Sequence, residues 1–313
     1  MSIDRALLLA REARWRAYPK PTVGAVVVAA DGELVGEGAT EAGGRHAEAV
    51  ALDVAGARAK GGTMYVTLEP CAHWGTTPPC ADRVIEAGIA RVVIGALDPN
   101  PEAAGGVERL RAAGLDVELV DCFECRALEE AWRTWVASKR PFVVYKAAVT
   151  LDGKVVVPGR RWVSGEQSRQ LVHELRAQVD AVAVGGGTAR VDLPRLDARD
   201  VATPKGQPRR LAFSRGPLPE GVELELRSGP LADELRLLAA DGVQSLLLEG
   251  GPTLAASFIA EGLVDKLMVF VAPVLSGQGP GLVAALPSPS LLQRLSARQV
   301  GPDVLLEAYV NAP

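Results

Sequence analysis

Two short stretches, His46-Ala47-Glu48 and Pro70-Cys71-Ala72-His73-Trp74-Gly75-Thr76-Thr77-Pro78-Pro79-Cys80, decide how this chain is read. Together they bring one imidazole, two thiols and one spare carboxylate. A catalytic zinc takes three protein ligands and keeps a fourth position for water. His46, Cys71 and Cys80 fit that set. Glu48 follows His46 too closely to be another convenient ligand. A glutamate beside such a metal can instead carry a proton from attacking water to a leaving amine. His46 and Glu48 head an Ala-rich helical stretch over residues 47–60, closed by Gly61-Gly62. Pro79 suits the opening of a further helix, because its missing N–H is not needed there. Cys80 therefore also falls on a first turn. The partial positive charge of a helix start favours the thiolate that zinc needs.

Outward from these stretches the pattern is α/β. Ser2 is placed to cap a helix running to about residue 15, stopped by Pro19 and Pro21. The continuous apolar run over residues 23–29 reads as a buried strand. Asp31-Gly32 turns it into a second strand over residues 34–39. Strands follow at 63–68, 91–96 and 117–120, with a closing helix over 124–138 that ends at Lys139-Arg140-Pro141. A domain boundary is expected there, giving units of 1–139 and 140–313. The second unit repeats the α/β alternation. Strands are expected at 142–149, 181–184, 245–248, 267–271 and 304–310, helices at 167–177, 231–240 and 253–261, and a loop over 198–208.

Composition narrows the function classes. At 313 residues the length suits two domains. A formal net charge of −4 implies no basic face for nucleic acid. The first ten residues read as an amphipathic helix and not as a signal peptide, and no apolar run reaches membrane-spanning length. Four cysteines in a chain this long do not make a disulfide framework. A reducing, cytoplasmic setting is expected.

Other candidates are weaker. His73 lies between the two metal cysteines, either as a loop hydrogen-bonder or as a substrate contact. His173, beside Leu171-Val172, reads as structural. Cys122-Phe123-Glu124-Cys125 has no further His or Cys to complete a second metal site and reads as structural thiols. Gly185-Gly186-Gly187-Thr188 and Glu249-Gly250-Gly251-Pro252-Thr253 each sit at a strand end, where glycine lets a backbone approach phosphate. Each is equally compatible with a tight turn, and neither matches the G-x-G-x-x-G fingerprint.

H-x-E with a later P-C and a second Cys is the signature of zinc-dependent nucleobase deaminases. Here eight residues separate the two cysteines, where C-x-x-C is usual. With that long spacing the chain resembles the bifunctional pyrimidine deaminase/reductases of riboflavin biosynthesis. The resemblance rests on Tyr18-Pro19-Lys20-Pro21-Thr22-Val23-Gly24, His46-Ala47-Glu48, Thr67-Leu68-Glu69-Pro70-Cys71 through Cys80, and Asp98-Pro99-Asn100-Pro101. In the second unit it rests on Lys146, Thr150-Leu151-Asp152-Gly153-Lys154, Trp162-Val163-Ser164, Leu175-Arg176-Ala177, Gly185 to Thr188, and Leu248-Glu249-Gly250-Gly251-Pro252-Thr253-Leu254. It covers nearly the whole chain.

The resemblance implies a cytidine-deaminase-like three-layer αβα domain followed by a dihydrofolate-reductase-like α/β domain. It implies hydrolysis of the 2-amino group of a diaminopyrimidinone carrying a ribosylamino 5′-phosphate, then NADPH-dependent reduction of the ribosyl chain to ribityl. Zinc would be held by His46, Cys71 and Cys80, with Glu48 catalytic. NADPH contacts would fall on Ala148, Trp162, Thr188, Asp192, Ser214 and Gly251, and substrate contacts on Arg176, Leu196, Arg199 and Glu249. Two arginines suit a phosphate, since each offers forked donors. The partner implied is a small phosphorylated pyrimidine, with neither nucleic acid nor membrane; the sequence is compatible with a homo-oligomer but does not give the oligomeric state.

Several positions depart from the family pattern. Lys20 stands where most members have Asn, and Thr40 where many have His. Thr76 replaces a basic loop residue, Leu193 a second acidic or amide residue, and Arg160 a small hydroxyl. These motivate an alternative, a paralogue acting on a modified pyrimidine. A third reading, a non-catalytic zinc module on a nucleotide-binding scaffold, is opposed by Glu48, because a structural site would close with a fourth Cys or His.

Overall fold

In the computed structural model, which describes residues 3–75 and 78–313, the chain forms two compact units, Met1–Ala137 together with Pro313, and Ser138–Ala312. The first opens with α1 (Ile3–Glu12), then the hairpin β1 (Gly24–Val28) and β2 (Leu34–Ala39). There follow α2 (Ala47–Ala55), a 3-10 turn at Gly56–Ala59, β3 (Thr63–Val66), α3 (Cys80–Glu86), β4 (Arg91–Ile94), α4 (Gly106–Ala112), β5 (Asp116–Leu119), α5 (Phe123–Leu128) and α6 (Glu130–Ser138). The sheet order is β2-β1-β3-β4-β5, antiparallel about β1 and parallel from β3 to β5. Helix α1 lies on one face with α5, and α2 on the other with α3 beside it and α4 beyond.

Glycine decides how closely α2 approaches the sheet. A Cβ on Gly36 would stand 2.2 Å from the Ala51 carbonyl oxygen, and one on Gly38 2.4 Å from that of Ala47. The Ala-rich face of α2 therefore lies directly on β2, and Ala47, Ala51, Leu52 and Ala55 join the core of Val27, Met64, Val66 and Ile94. That contact sets the height of the first turn of α2 above the sheet.

Two expected helices are shorter than read, and a third is broken in two. Helix α1 stops at Glu12, before a run of turns in which Trp15 takes φ 74°, and the expected cap at Ser2 lies outside the described residues. Helix α2 ends at Ala55, where Gly56 at φ 54° turns the chain into 3-10 geometry. The closing helix is two helices broken at Glu129, with φ −118°, whose carboxylate leaves the helical register to accept the Thr22 N–H at 3.1 Å.

The second unit comprises β6 (Phe142–Thr150), α7 (Glu166–Gln178), β7 (Ala181–Gly185), α8 (Gly186–Asp192), β8 (Arg209–Phe213), β9 (Glu225–Arg227), α9 (Leu231–Ala240), β10 (Ser245–Leu248), α10 (Pro252–Ala260), β11 (Lys266–Ala272), β12 (Gln293–Val300) and β13 (Asp303–Tyr309). The sheet order is β12-β13-β11-β6-β10-β7-β8-β9. From β11 to β9 every pairing is parallel, and the β12–β13 hairpin adds an antiparallel edge. Side chains of α9 and α10, among them Leu235, Leu238, Ala255 and Phe258, pack on one face. Those of α7, Val172 with Leu171 and Leu175, pack on the other, against Met268, Phe270 and Leu305. The loop over residues 198–208 holds no helix or strand.

Candidate active sites

His46 is the N-cap of α2, and Glu48 lies on its first turn. Cys80 is the first residue of α3, after Pro79 at its N-cap. Cys71 comes from the loop after β3. Its carbonyl accepts the Ala81 N–H at 3.2 Å, and its Sγ accepts the Cys80 N–H at 3.3 Å, so the start of α3 is tied to it twice. The His46 Nδ1 stands 3.2 Å from Cys80 Sγ and 3.7 Å from Cys71 Sγ, and the three donor atoms lie within 4.8 Å of one another.

Those distances fit zinc. Tetrahedral bonds of about 2.0–2.3 Å hold neighbouring N and S donors about 3.5 Å apart. The protonation states fit as well. The hydrogen bond from Cys80, opposed by burial and helped by His46, brings the Cys71 thiol down to about 4. The same hydrogen bond, with burial and the Glu48 charge, pushes Cys80 strongly up. Two thiols that compete for one negative charge are a donor set that a divalent cation relieves. Glu48 is 3% exposed, and burial raises its carboxyl above the usual range.

The loop carrying Cys71 is held by a residue whose role spacing did not reveal. Glu69, 4% exposed, accepts the N–H groups of Asp98, Gly105 and Val107 at 3.1, 3.1 and 2.9 Å. Asp98 in turn accepts the Asn100 N–H at 2.7 Å. The Asp98-Pro99-Asn100-Pro101 motif is thus a brace for Pro70-Cys71. The only signal in the sequence was a carboxylate at the end of an apolar strand. Lys20 has its Nζ beside Gly44, and its charge bears on His46. Thr40 is buried and accepts the Val23 N–H at 2.8 Å, a contact that fixes the hairpin and not the mouth of the site. His73 and Trp74 are exposed, and Thr76 lies outside the described residues.

In the second unit a cavity of about 740 Å³ opens at the carboxyl ends of β7, β8, β9 and β10. That is the usual place for a ligand in a parallel sheet, and the size suits a small molecule or half a dinucleotide. Of the expected cofactor contacts, Thr188, Ser214 and Gly251 line it, together with Gly185, Gly186 and Gly187. A Cβ on Gly187 would meet nothing within 4 Å, so that backbone faces open space. Gly251 caps α10, with Pro252 at its first position. Ala148, Trp162 and Asp192 stand elsewhere. Ala148 packs against the core of Val172, Met268, Phe270 and Leu305, Asp192 is exposed at the end of α8, and Trp162 is 54% exposed with the Arg161 guanidinium 4.9 Å from its ring.

The expected substrate residues form one network and one outlier. Arg176 grips Glu249 with Nε at 2.6 Å and Nη2 at 3.1 Å, while Nη1 donates to the Asp197 carbonyl at 3.1 Å. Lys146 Nζ reaches the same carboxylate at 3.4 Å. Burial would raise Glu249, but Lys146 and Arg176 overcome it and bring the group down to about 2. Arg199 is more exposed, paired with Asp197, and its backbone N–H donates to His173 Nδ1 at 3.2 Å. His173 therefore supports Arg199, a role its sequence neighbours did not suggest. Leu196 is the outlier: its side chain is 2% exposed in the core with Val182 and Val184. Asp152 accepts from Thr150 Oγ1, Ser276 N–H and Gly277 N–H at 2.5, 2.9 and 2.8 Å, so it is a turn anchor. Leu193 and Arg160 are exposed.

Fold and donor set together define a zinc-dependent nucleobase deaminase joined to a second α/β catalytic unit. Comparison with known proteins carries this further. Residues 2–96 match the cytidine and deoxycytidylate deaminase zinc-binding region, and residues 141–306 match the RibD C-terminal domain. The riboflavin biosynthesis protein RibD of Aquifex aeolicus is 40% identical over 310 residues, covering 88% of this chain and 86% of its own. That of Escherichia coli is 36% identical, covering 96% of each. The structure of Acinetobacter baumannii RibD superposes with a TM-score of 0.82 at 32% identity, covering 98% of this chain and 97% of that one. A Thermotoga maritima structure described as a diaminohydroxyphosphoribosylaminopyrimidine deaminase/5-amino-6-(5-phosphoribosylamino)uracil reductase gives 0.80 at 33% identity, with the same coverage. The chain belongs to the RibD family and is an enzyme of riboflavin biosynthesis with a deaminase and a reductase unit. The paralogue and the non-catalytic module find no support among these relatives.

Proposed function

We propose that His46, Cys71 and Cys80 hold the zinc of the deaminase unit and that Glu48 is its proton carrier. The substrate is 2,5-diamino-6-ribosylamino-4(3H)-pyrimidinone 5′-phosphate, deaminated by residues 1–139 and then reduced by residues 140–313. Held by those three residues, a zinc ion would polarise a water and lower that water's pKa. Glu48 takes the proton that this water gives up. Its buried carboxyl is raised by desolvation, so it holds the proton readily and delivers it to the departing amine. The amine leaves as ammonia.

In the reductase unit NADPH supplies the hydride. The glycine-lined cavity with Thr188, Ser214 and Gly251 receives it, and Ala148, Trp162 and Asp192 extend the contact surface. Glu249 and Arg176, held against Lys146, form a rigid polar wall for the sugar chain. Arg199, the more exposed arginine, takes the substrate phosphate, and Leu196 contributes backbone only. Among the described residues no helix is long and apolar enough to cross a membrane. The four cysteines are free thiols, which supports a reducing, cytoplasmic setting.

The observation that carries this reading is the convergence of three metal donors beside a buried glutamate. The test is an assay of purified protein with that pyrimidine phosphate, first without and then with NADPH. Ammonia should appear without NADPH, and NADPH should then be oxidised. Absence of ammonia from zinc-loaded protein would overturn the deaminase assignment.

A further inference from the structure

Two arginines stand in the cavity wall, and they differ in what they hold. Arg227, at the end of β9, is engaged through its Nη atoms by Glu225 and, at 3.3 Å, by Glu234. Arg215 has no hydrogen-bond or ion-pair partner among the described residues and is exposed. It sits on a turn that is pinned from several sides. The Ser214 N–H donates to the Arg227 carbonyl at 3.0 Å. The Ser214 hydroxyl donates to the Gly216 carbonyl at 2.9 Å and accepts from Arg190 Nη2 at 3.1 Å. Arg190 also donates to the Pro217 carbonyl at 3.2 Å. An exposed, unpaired guanidinium is thus carried on a backbone turn held by several hydrogen bonds.

The position of that turn decides what the guanidinium can meet. β8 is the parallel neighbour of β7, whose end carries the glycine run. In α/β dinucleotide sites the end of that second strand meets the adenosine ribose. A carboxylate there accepts from the free 2′-hydroxyl of NADH, while an arginine accommodates the 2′-phosphate of NADPH. The strand end here reads Phe213-Ser214-Arg215-Gly216, with no carboxylate. The one acid in the wall, Glu261, lies past the far end of α10. Ser214 and Gly251 both abut the first turn of α8, so the Ser214 turn lies by the start of α10, while Glu261 lies about 13 Å further along that helix.

We propose that Arg215, presented by the Ser214 turn and held in place through Arg190, binds the ribose 2′-phosphate of NADPH and sets the preference for NADPH over NADH. This rests on the reading of the cavity as the dinucleotide site. A forked guanidinium matches a phosphate dianion and gains nothing from a hydroxyl.

The test is direct titration of the full chain with NADPH and with NADH, read by cofactor fluorescence. Arg215→Ala should weaken NADPH by about tenfold to a hundredfold, the scale of one charge-assisted contact. NADH binding should change by less than about twofold, since it has no group for the arginine to hold. Arg215→Lys should recover part of the loss. An equal effect of Arg215→Ala on both dinucleotides, or none on either, overturns the proposal. Gly187→Phe tests the underlying reading separately, because its side chain would fill the open cavity. It should abolish binding of both. If both bind Gly187→Phe normally, the dinucleotide sits elsewhere, and the assignment of the cavity fails whatever Arg215 does.

Discussion

Glu48 and Glu249 are both buried carboxylates, and their surroundings send them in opposite directions. Glu48 is raised by burial, which suits a group that must pick up and release a proton. Glu48→Gln keeps the shape and leaves the three metal donors untouched. It should bind one zinc per chain yet lose deamination by about a hundredfold or more, measured as ammonia release beside metal content. Glu249 is brought down to about 2 from 4.5 by Lys146 and Arg176 despite its burial. A carboxylate depressed on folding stabilises above its unfolded value and loses that contribution as pH falls through the folded one. Glu249→Gln should cost the reductase unit about 3–5 kcal/mol at neutral pH, because two cations lose their partner. The gap to wild type should close between about pH 4.5 and pH 2, as read by denaturant unfolding across that range. Arg199→Ala should weaken the phosphorylated substrate by one to two decades, about 1.5–3 kcal/mol, and leave NADPH unchanged. Paired titrations decide it, and the reverse result would mean the two ligands have been exchanged.

At the scale of elements, the helix that carries His46 and the loop that carries Cys71 are both placed by close backbone contact. α2 rests on Gly36 and Gly38 of β2, and the Pro70-Cys71 loop rests on Gly106 at the start of α4. A Cβ on Gly106 would stand 1.9 Å from the Pro70 carbonyl oxygen. Gly106→Ala should therefore shift Cys71 and lower zinc retention against a chelator, while NADPH binding stays at the wild-type level. Elements with a strong apolar pattern were legible from residue types alone: β1, β6, β7, β10, β11 and α9 fall within two residues of expectation. The missed ones lack that pattern. β8 begins with Arg209-Arg210, and β12 is exposed at seven of its eight positions, so both exist only through pairing with β7 and β13. α8 begins Gly186-Gly187, among the poorest helix formers, and reads as part of a turn. β9 is three residues long, below the length at which alternation can be recognised.

At the scale of the molecule, each unit has its own sheet and its own core. A fragment of residues 1–139 should bind zinc and release ammonia without the remainder. Failure of such a fragment to fold, judged by its unfolding transition, would show that the two activities share stability. The convergence of His46, Cys71 and Cys80 was legible in the sequence. Zinc demands particular side chains, and a helix start can be read from Pro79 and from the residues after His46. The long gap between Cys71 and Cys80 was legible as well. What belonged to tertiary structure alone was every assignment that depends on which groups are already occupied. Arg176 and Arg199 are the same residue type in sequence. Only folding shows that Arg176 is consumed by Glu249 while Arg199 stays exposed. Leu196 faces the core, and Arg215 alone of the two cavity arginines is left without a partner among the described residues. Pairing and burial join residues far apart along the chain, and no local pattern of residue types encodes them.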